Sequence, residues 1–540
     1  MGTQMMPWLA GLDEDKKQRL QSAFAKSHMD NMASLPPFAA TPITQLTSII
    51  CTMGPATADI AKLMKMFDEG MRIARFNFSH GSYESHEKML ATVREAVSEY
   101  SRQIGRIFPL AIALDTKGPE IRTGSTSDPS GKFFVNAGDN IKVTTDEAFK
   151  TQCSPTTLYV DYKNIVKVVK KGDLVYIDDG LISLKVLDIG DDYLQCVVIN
   201  SGLIGSTKGC NLPGVPVDLP TLSPKDKNDI LWGVEHDVDM IFASFIRSGE
   251  SVKEIRQLLG EKGKGILIIP KIENHQGVLD IDSIIDESDG IMIARGDLGI
   301  EIPPPKVAVV QKQIIGKCNK KGKPVICATQ MLDSMISKPR PTRAEITDCA
   351  NAVLDGADCT MLSGETANGD YPIECVAMMS NIDREAEEMR YSKQYFQELC
   401  DKTSPPIDPA HAVAIAAVLT SLKVAASAIV VITTSGRSAK LLSQYRPRCP
   451  ILAITRFSQI ARQLQLWGCV EPVQYITTPL ADWQKDVDAR IQFGITVGKR
   501  MKFIKPGDAL VVVSGWRQGA GFTNTLRVLY ASAQDCTPNP

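Results

Sequence analysis

The stretch IMIARGDLGIEIP, residues 291–303, decides the fold. Three of its first four residues are bulky and apolar and read as a buried strand. The run then stops at Arg295, Gly296 and Asp297. Either this is a turn that happens to be charged, or the strand ends where chemistry is done. Its neighbours decide the class. TSIICTM (47–53), MRIARFNF (71–78) and PLAIALDT (109–116) precede it, as do DMIFASFI (239–246) and ILIIPKIE (266–273). PVICATQM (324–331) and CTMLSGET (359–366) follow it. Between them lie segments with helical spacing, such as SHEKMLATVREAVSEYSR and SVKEIRQLLGEKG. Apolar runs that alternate with helices, with no polar face of their own, indicate a parallel sheet covered on both sides. Eight such units are the number that closes a (β/α)8 TIM barrel, so the expected class is α/β.

The rhythm is interrupted once, between about Gly118 and Asp218. There the sequence becomes turn-rich and strand-like, in TLYVDY, DLVYIDDG, LISLKVLDIG and YLQCVVIN. Pro119 fences one side; Pro213, Pro216 and Pro220 fence the other. This predicts a small inserted β-barrel lid domain after the third strand. Beyond SPPIDPA (404–410), a linker or tight turn, the runs AIVVITTS, PILAITR, CVEPVQYI and DALVVVSG predict a C-terminal open α/β domain. The expected division is an N-terminal extension, 1–45; a barrel, 46–117 and 219–390; an inserted lid, 118–218; and a C-terminal α/β regulatory domain, 391–540. Neither G-x-x-x-x-G-K-[ST] nor G-x-G-x-x-G occurs, so the common nucleotide fingerprints are absent.

Composition narrows the partners. With 60 basic and 62 acidic residues the net charge is -2, which gives no reason to expect nucleic acid or an anionic membrane. The 13 cysteines include no C-x-x-C pair and read as reduced thiols of a cytoplasmic protein. The start, MGTQMMPWLAGLDEDKK, lacks the basic flank and long apolar core of a secretory signal. Met6 stands where a myristoylation signal wants Ser or Thr. No apolar run reaches the ~18 residues of a spanning helix.

In such a barrel the active site lies at the carboxyl ends of the strands. Six of the eight runs carry polar or charged groups there. These are Arg75, Asn77 and Ser79; Asp115, Thr116 and Lys117; Lys271 and Glu273; Arg295, Gly296 and Asp297; Thr329; and Ser363 with Glu365. Glu273 and Asp297 offer two hard carboxylates, which suit magnesium with its remaining ligands taken from water and phosphate. Asn77, Ser79, Asp115 and Thr116 make a nearly neutral oxygen cage, better suited to a monovalent cation. Arg75 and Lys271 would neutralise charge on a phosphoryl group in transfer, and Gly296 would let backbone N–H groups approach an anion. Blander readings stand beside these: a structural Arg75–Asp115 ion pair, a surface Lys271–Glu273 pair, and a tight turn at Ser363-Gly-Glu365.

Seven motifs resemble a known family in its own order: RFNFSHG (75–81), LDTKGPEIRTG (114–124), KIEN (271–274), ARGDLGIEIP (294–303), ATQMLDSM (328–335), KPRPTRAE (338–345) and MLSGETANGDYP (361–372). The family is pyruvate kinase, and the resemblance runs from about residue 42 to 529. It implies phosphoryl transfer from phosphoenolpyruvate to ADP, giving pyruvate and ATP at the last step of glycolysis. It implies Mg2+ (or Mn2+) on Glu273 and Asp297, and K+ on Asn77, Ser79, Asp115 and Thr116. Lys271 resembles the cation that stabilises the transferring phosphoryl group and the enolate. Arg75 resembles the bridge between substrate and nucleotide phosphates; Asn77, His80 and Lys208 resemble nucleotide contacts. Gly296, Asp297 and Thr329 resemble the substrate cradle, with Thr329 near the carbon that is protonated and Ser363 and Glu365 resembling a proton relay.

The resemblance also implies a cytoplasmic homotetramer and a sugar-phosphate effector. On physical grounds TTSGRS, from Thr433, Thr434, Ser435 and Gly436 to Arg437 and Ser438, is a turn at a helix N-terminus, where free N–H groups attract an anion. The glycine-rich loop SGWRQGAGFTN (514–524) could close over it, and Trp483 and Arg490 resemble further members of the pocket. Fructose 1,6-bisphosphate and glucose 6-phosphate are the first candidates. Two residues depart from the pattern: Pro270 before Lys271, where only local adjustment is expected, and Thr434, where some regulated members carry a charge. The rival readings are another barrel enzyme acting on phosphoenolpyruvate or pyruvate, and a non-catalytic sugar-phosphate sensor.

Overall fold

The structure is a computed structural model describing residues 25–517, 519 and 521–533. Residues 1–24, including Met6, lie outside the described residues, as do Cys536 and two positions of the 514–524 loop. The first described segment packs on the barrel: Asn31 donates to the Met389 carbonyl at 3.0 Å, and the Tyr391 hydroxyl donates to the Ala25 carbonyl at 2.8 Å.

All eight apolar runs become barrel strands. Ser48–Thr52, Met71–Asn77, Ala111–Asp115, Met240–Ala243, Leu267–Ile272, Ile291–Ala294, Val325–Ala328 and Cys359–Leu362 pair in chain order, all parallel, and the eighth returns to the first. Alternate residues point inward. Ile50, Ile73, Met240, Phe242, Ile269, Met292 and Ile326 fill the barrel, while Ile49, Phe76, Ile268 and Ile293 pack against the surrounding helices. Each such side chain contributes about 1.5–3 kcal/mol by leaving water. Pro270 sits in the fifth strand opposite Ala243, and pairing with the sixth strand is confined to Lys271 and Ile272. The missing proline N–H thus displaces no tip residue.

The insert is a seven-stranded mixed sheet with a two-stranded ribbon beside it. Its two edges meet at a bridge between Thr123 and Val160. Gly124 N–H donates to the Tyr159 carbonyl and Asp161 N–H to that of Arg122, each at 3.0 Å, which closes the sheet into a small barrel. The strand Tyr193–Val198 alternates inward and outward residues, the period expected of a sheet with one buried face.

The C-terminal sheet has the order Val470–Gln474, Ile451–Thr455, Ala428–Ile432, Ala509–Gly515, Thr523–Tyr530. The four expected strands are parallel, and the fifth is an antiparallel partner of Ala509–Gly515 that the sequence reading did not contain. That edge strand, TNTLRVLY, is only partly buried, so it lacks the continuous apolar run that marked the others. This domain closes the barrel floor. Leu442, Tyr445 and Leu466 belong to the same apolar cluster as the barrel's inward residues. Among the described residues no helix is long and apolar enough to cross a membrane.

Candidate active site

The strand tips converge on one buried charge network. Arg75, at the end of the second strand, donates through Nε to Asp115 Oδ2 at 2.6 Å and through Nη1 to Thr52 Oγ1 at 2.9 Å. Lys271 Nζ lies 3.0 Å from Asp115 Oδ1, 3.0 Å from Glu273 Oε1 and 2.8 Å from Ser244 Oγ. Ser244 Oγ in turn donates to the Thr116 carbonyl at 2.6 Å. Burial works against the Asp115 charge, but Arg75 and Lys271 outweigh it and hold the carboxyl below its usual range. Burial likewise opposes the Lys271 charge, and Asp115 and Glu273 overcome it, so the ammonium is held well above its ordinary pKa. The Arg75–Asp115 ion pair is therefore present, and Lys271 with Glu273 is a buried pair within the ring rather than a surface one. Thr52 and Ser244, from the two strands whose ends carried no polar mark in the sequence reading, complete the network.

Asp297 stands in the first turn of a helix, Arg295–Glu301, that begins directly at the sixth strand tip. Its carboxyl is pushed up by burial and by the Glu273 carboxylate, against the pull of Lys271; Glu120 and Asp179 of the lid side add to the push. Crowded carboxylates of this kind fit a divalent cation. No three His, Cys, Asp or Glu side chains converge on one point among the described residues. A divalent ion here would draw two carboxylates from the protein and the rest from water and phosphate, the coordination magnesium favours.

The proposed cage residues sit on adjacent tips, Asn77 opposite Asp115 in register. Asn77 Oδ1 accepts the Ser79 N–H at 3.1 Å, and Thr116 Oγ1 accepts the Ser244 N–H at 3.1 Å. His80 is exposed beside them. Lys208 reaches from the lid and is paired with Asp178 at 2.9 Å, at the lid's own hairpin. The lid and barrel enclose a cleft lined by Glu120, Asp179, Asn211, Arg247, Asp297 and Glu301, among others.

The seventh and eighth tips are locked backbone to side chain. Thr329 has φ +75° and Gln330 +54°, a left-handed pair. For a β-branched residue this costs on the order of 1–3 kcal/mol and points to function. A Cβ on Gly296 would lie 2.9 Å from Thr329 Cγ2, so the glycine makes room for the threonine. Both Glu365 oxygens are occupied, by Ser363 N–H at 2.7 Å and Leu332 N–H at 3.1 Å, and burial raises its pKa. Glu365 thus ties the seventh and eighth loops together. Arg295, counted with the tip charges in the sequence reading, instead points to Asp348 at 2.7 Å.

The C-terminal domain holds a second cavity, of about 300 Å³, at the carboxyl end of its sheet. Thr433, Thr434, Ser435, Arg437, Ser438, Trp483 and Arg490 all line it. Gly436, at φ +79°, caps the helix Arg437–Gln444, a conformation that favours glycine. Arg490 is buried, lies over the Trp483 ring at 5.1 Å and pairs with Asp486 at 2.9 Å. Arg437 pairs outward with Asp408 at 2.8 Å. Two further cations line it: Arg456, absent from the sequence reading, and Arg517, which lies in the loop expected to close over the site. Arg517 stacks on Phe522 at 3.8 Å.

Comparison with known proteins agrees with this geometry. The family model described as pyruvate kinase, barrel domain, matches residues 44–376, and that of the pyruvate kinase alpha/beta domain matches 411–529. Human pyruvate kinase PKLR is 52% identical over 518 residues, covering 96% of this chain and 90% of that protein. Pyruvate kinase of Hypocrea jecorina is 49% identical, covering 90% of each. Pyruvate kinase 1 of Saccharomyces cerevisiae is 47% identical, covering 93% of this chain and 99% of its own length. With both domains matched, and about half identity held along nearly its whole length, the chain belongs to the pyruvate kinase family.

Proposed function

We propose that the strand tips transfer the phosphoryl group of phosphoenolpyruvate to ADP and protonate the enolate that remains. The observation that carries this reading is Lys271, a buried ammonium held between Asp115, Glu273 and Ser244 at the centre of the ring. The bond from phosphorus to the enol oxygen breaks, and one to the ADP terminal oxygen forms. The electron pair left on the enolate returns to carbon and takes a proton, giving pyruvate. Such a transfer needs positioning and charge neutralisation more than covalent catalysis. Lys271 and Arg75 meet the charge that develops on the phosphoryl oxygens, and Lys271 meets that on the enolate. Gly296, Asp297 and Thr329 cradle the substrate. Asn77, His80 and Lys208 face the nucleotide, with the lid excluding water so that ADP receives the group. Glu273 and Asp297 would hold Mg2+ (or Mn2+), which supplies further neutralisation when bound. Ser363, whose backbone Glu365 holds, carries the hydroxyl of the proton path. A cytoplasmic homotetramer fits the family. A lactate dehydrogenase-coupled assay for pyruvate from phosphoenolpyruvate and ADP tests the whole reading, and a chain that makes none would refute it.

Turnover is expected to require K+ as well as the divalent ion. Asn77, Ser79, Asp115 and Thr116 supply oxygens, and Glu120, whose carboxylate pairs with Arg122, lines the cleft beside them. In a bulky organic cation buffer free of Na+ and K+, activity falls by at least about tenfold, the loss expected when one transition-state charge is missing. Glu120→Lys, which brings an internal cation, shrinks that dependence. Full activity of the unaltered enzyme without K+ would sink the assignment.

The C-terminal cavity is read as a sugar-phosphate effector site. Its N–H-rich loop and four arginines suit phosphate, and its volume is at the lower end for small-molecule pockets. Fructose 1,6-bisphosphate or glucose 6-phosphate shifts the phosphoenolpyruvate saturation curve leftward, and Arg517→Ala removes the shift while leaving the curve without effector unchanged. Superimposable curves with both sugar phosphates would leave the cavity without this role.

A further inference from the structure

Thr329 is held in its left-handed conformation from outside the ring. Arg295 makes this hold. Its Nε donates to the Ala328 carbonyl at 3.2 Å and its Nη2 to the Thr329 carbonyl at 2.9 Å. Its Nη1 reaches Asp348 at 2.7 Å and Gln311 at 3.3 Å. The guanidinium therefore spans two consecutive carbonyls of the strained segment and is itself oriented by two helices of the barrel wall, Arg343–Asp355 and Pro304–Lys321. On the other side, Thr329 Cγ2 packs into the space left by Gly296. Its own φ of +75° is a conformation that a threonine keeps only when its surroundings over-determine it.

We infer that Arg295 is a positioning residue for proton transfer, fixing the Thr329 side chain over the substrate carbon through the carbonyls of residues 328 and 329. It touches neither substrate nor metal. The inference rests on the assignment of Thr329 to the substrate cradle. A lysine in its place retains the charge for Asp348 but has no planar fork to span both carbonyls. The segment then relaxes, and a displacement of about 1 Å at a reacting centre costs up to ~10²-fold in rate.

The test uses the full-length enzyme. Steady-state kinetics with phosphoenolpyruvate and ADP are combined with exchange of the pyruvate methyl protons for solvent deuterium, followed by NMR in the presence of ATP, Mg2+ and K+. Arg295→Lys lowers kcat by about 10–100-fold and slows methyl exchange at least as much. KM for phosphoenolpyruvate stays within about threefold of wild type, because the groups that hold the phosphate are untouched. Asp348→Asn, which removes the ion pair but leaves the grip on the carbonyls, keeps kcat within about threefold. The inference is overturned if Arg295→Lys turns over at near the wild-type rate, if its loss lies in KM alone, or if methyl exchange is unaffected. It is overturned equally if Asp348→Asn falls as far, or if Arg295→Lys does not fold, since the arginine would then serve the barrel wall. An unaltered enzyme that makes no pyruvate would refute the underlying activity instead, a result visible before any variant is measured.

Discussion

Lys271→Met lowers kcat by at least about 10²–10³-fold while leaving the binding of phosphoenolpyruvate and the divalent ion largely intact. The side chains are similar in length and apolar stem, so the change removes a charge and little volume. The charge is placed where it acts: Lys271 Nζ stands at hydrogen-bond distance from Asp115, Glu273 and Ser244 and within the electrostatic reach of Asp297. Its partners Asp115 and Glu273 favour the protonated form against burial. An ammonium fixed before the reaction begins costs no reorganisation as charge develops on the phosphoryl oxygens and the enolate. The fold survives the substitution because Arg75 still pairs with Asp115 at 2.6 Å. The measurement is kcat and KM on protein whose thermal midpoint has been checked. Turnover within about tenfold of wild type would mean that Lys271 only balances Asp115 and Glu273.

The barrel was legible because its strands are buried on both faces, so eight continuous apolar runs stand out against helices of a different period. The same logic explains the miss at Thr523–Tyr530, an edge strand with no such run. At the site, charged tips announced themselves, and Lys271, Glu273, Asp115 and Arg75 meet as their positions implied. Thr52 and Ser244 did not, since a threonine or serine at the end of an apolar run is indistinguishable from an ordinary strand end. Sequence order cannot show which way a side chain turns. Arg295 sits between Ala294 and Gly296, yet its partner is Asp348, fifty-three residues on. Glu365 resembles part of a proton relay, and sequence order does not show that its two oxygens also accept backbone N–H groups of two loops. In the C-terminal cavity Arg437 lines the wall next to the loop it follows, but sequence order does not show that its guanidinium pairs with Asp408 or that Arg456 and Arg517 line the cavity with it.

The second large effect lies at the barrel floor. Asp358, one residue before the eighth strand, accepts the Val325 N–H at 3.0 Å and the Gly468 N–H at 2.9 Å. Arg446 of the C-terminal domain grips both its oxygens, at 2.6 and 2.8 Å, and also donates to Asn319 and the Gly356 carbonyl. Both side chains are nearly inaccessible, 5% and 2% exposed. A buried pair contributes little net of desolvation, but breaking it from one side leaves a charge with neither water nor partner. Arg446→Met therefore destabilises the enzyme by about 3–5 kcal/mol, read as a lowered midpoint in denaturant or heat. At Asp239, before the fourth strand, the matching arginine is Arg462, 2.8 Å away and 21% exposed. Water reaches that site, so Arg462→Met costs less. Adding Asp358→Asn to Arg446→Met removes the stranded charge and recovers part of the loss, as a coupled pair requires. A single Arg446→Met variant within about 1 kcal/mol of wild type, or a double variant less stable than the single, would show that apolar packing through Leu442, Tyr445 and Leu466, and not this ion pair, fixes the domain to the floor.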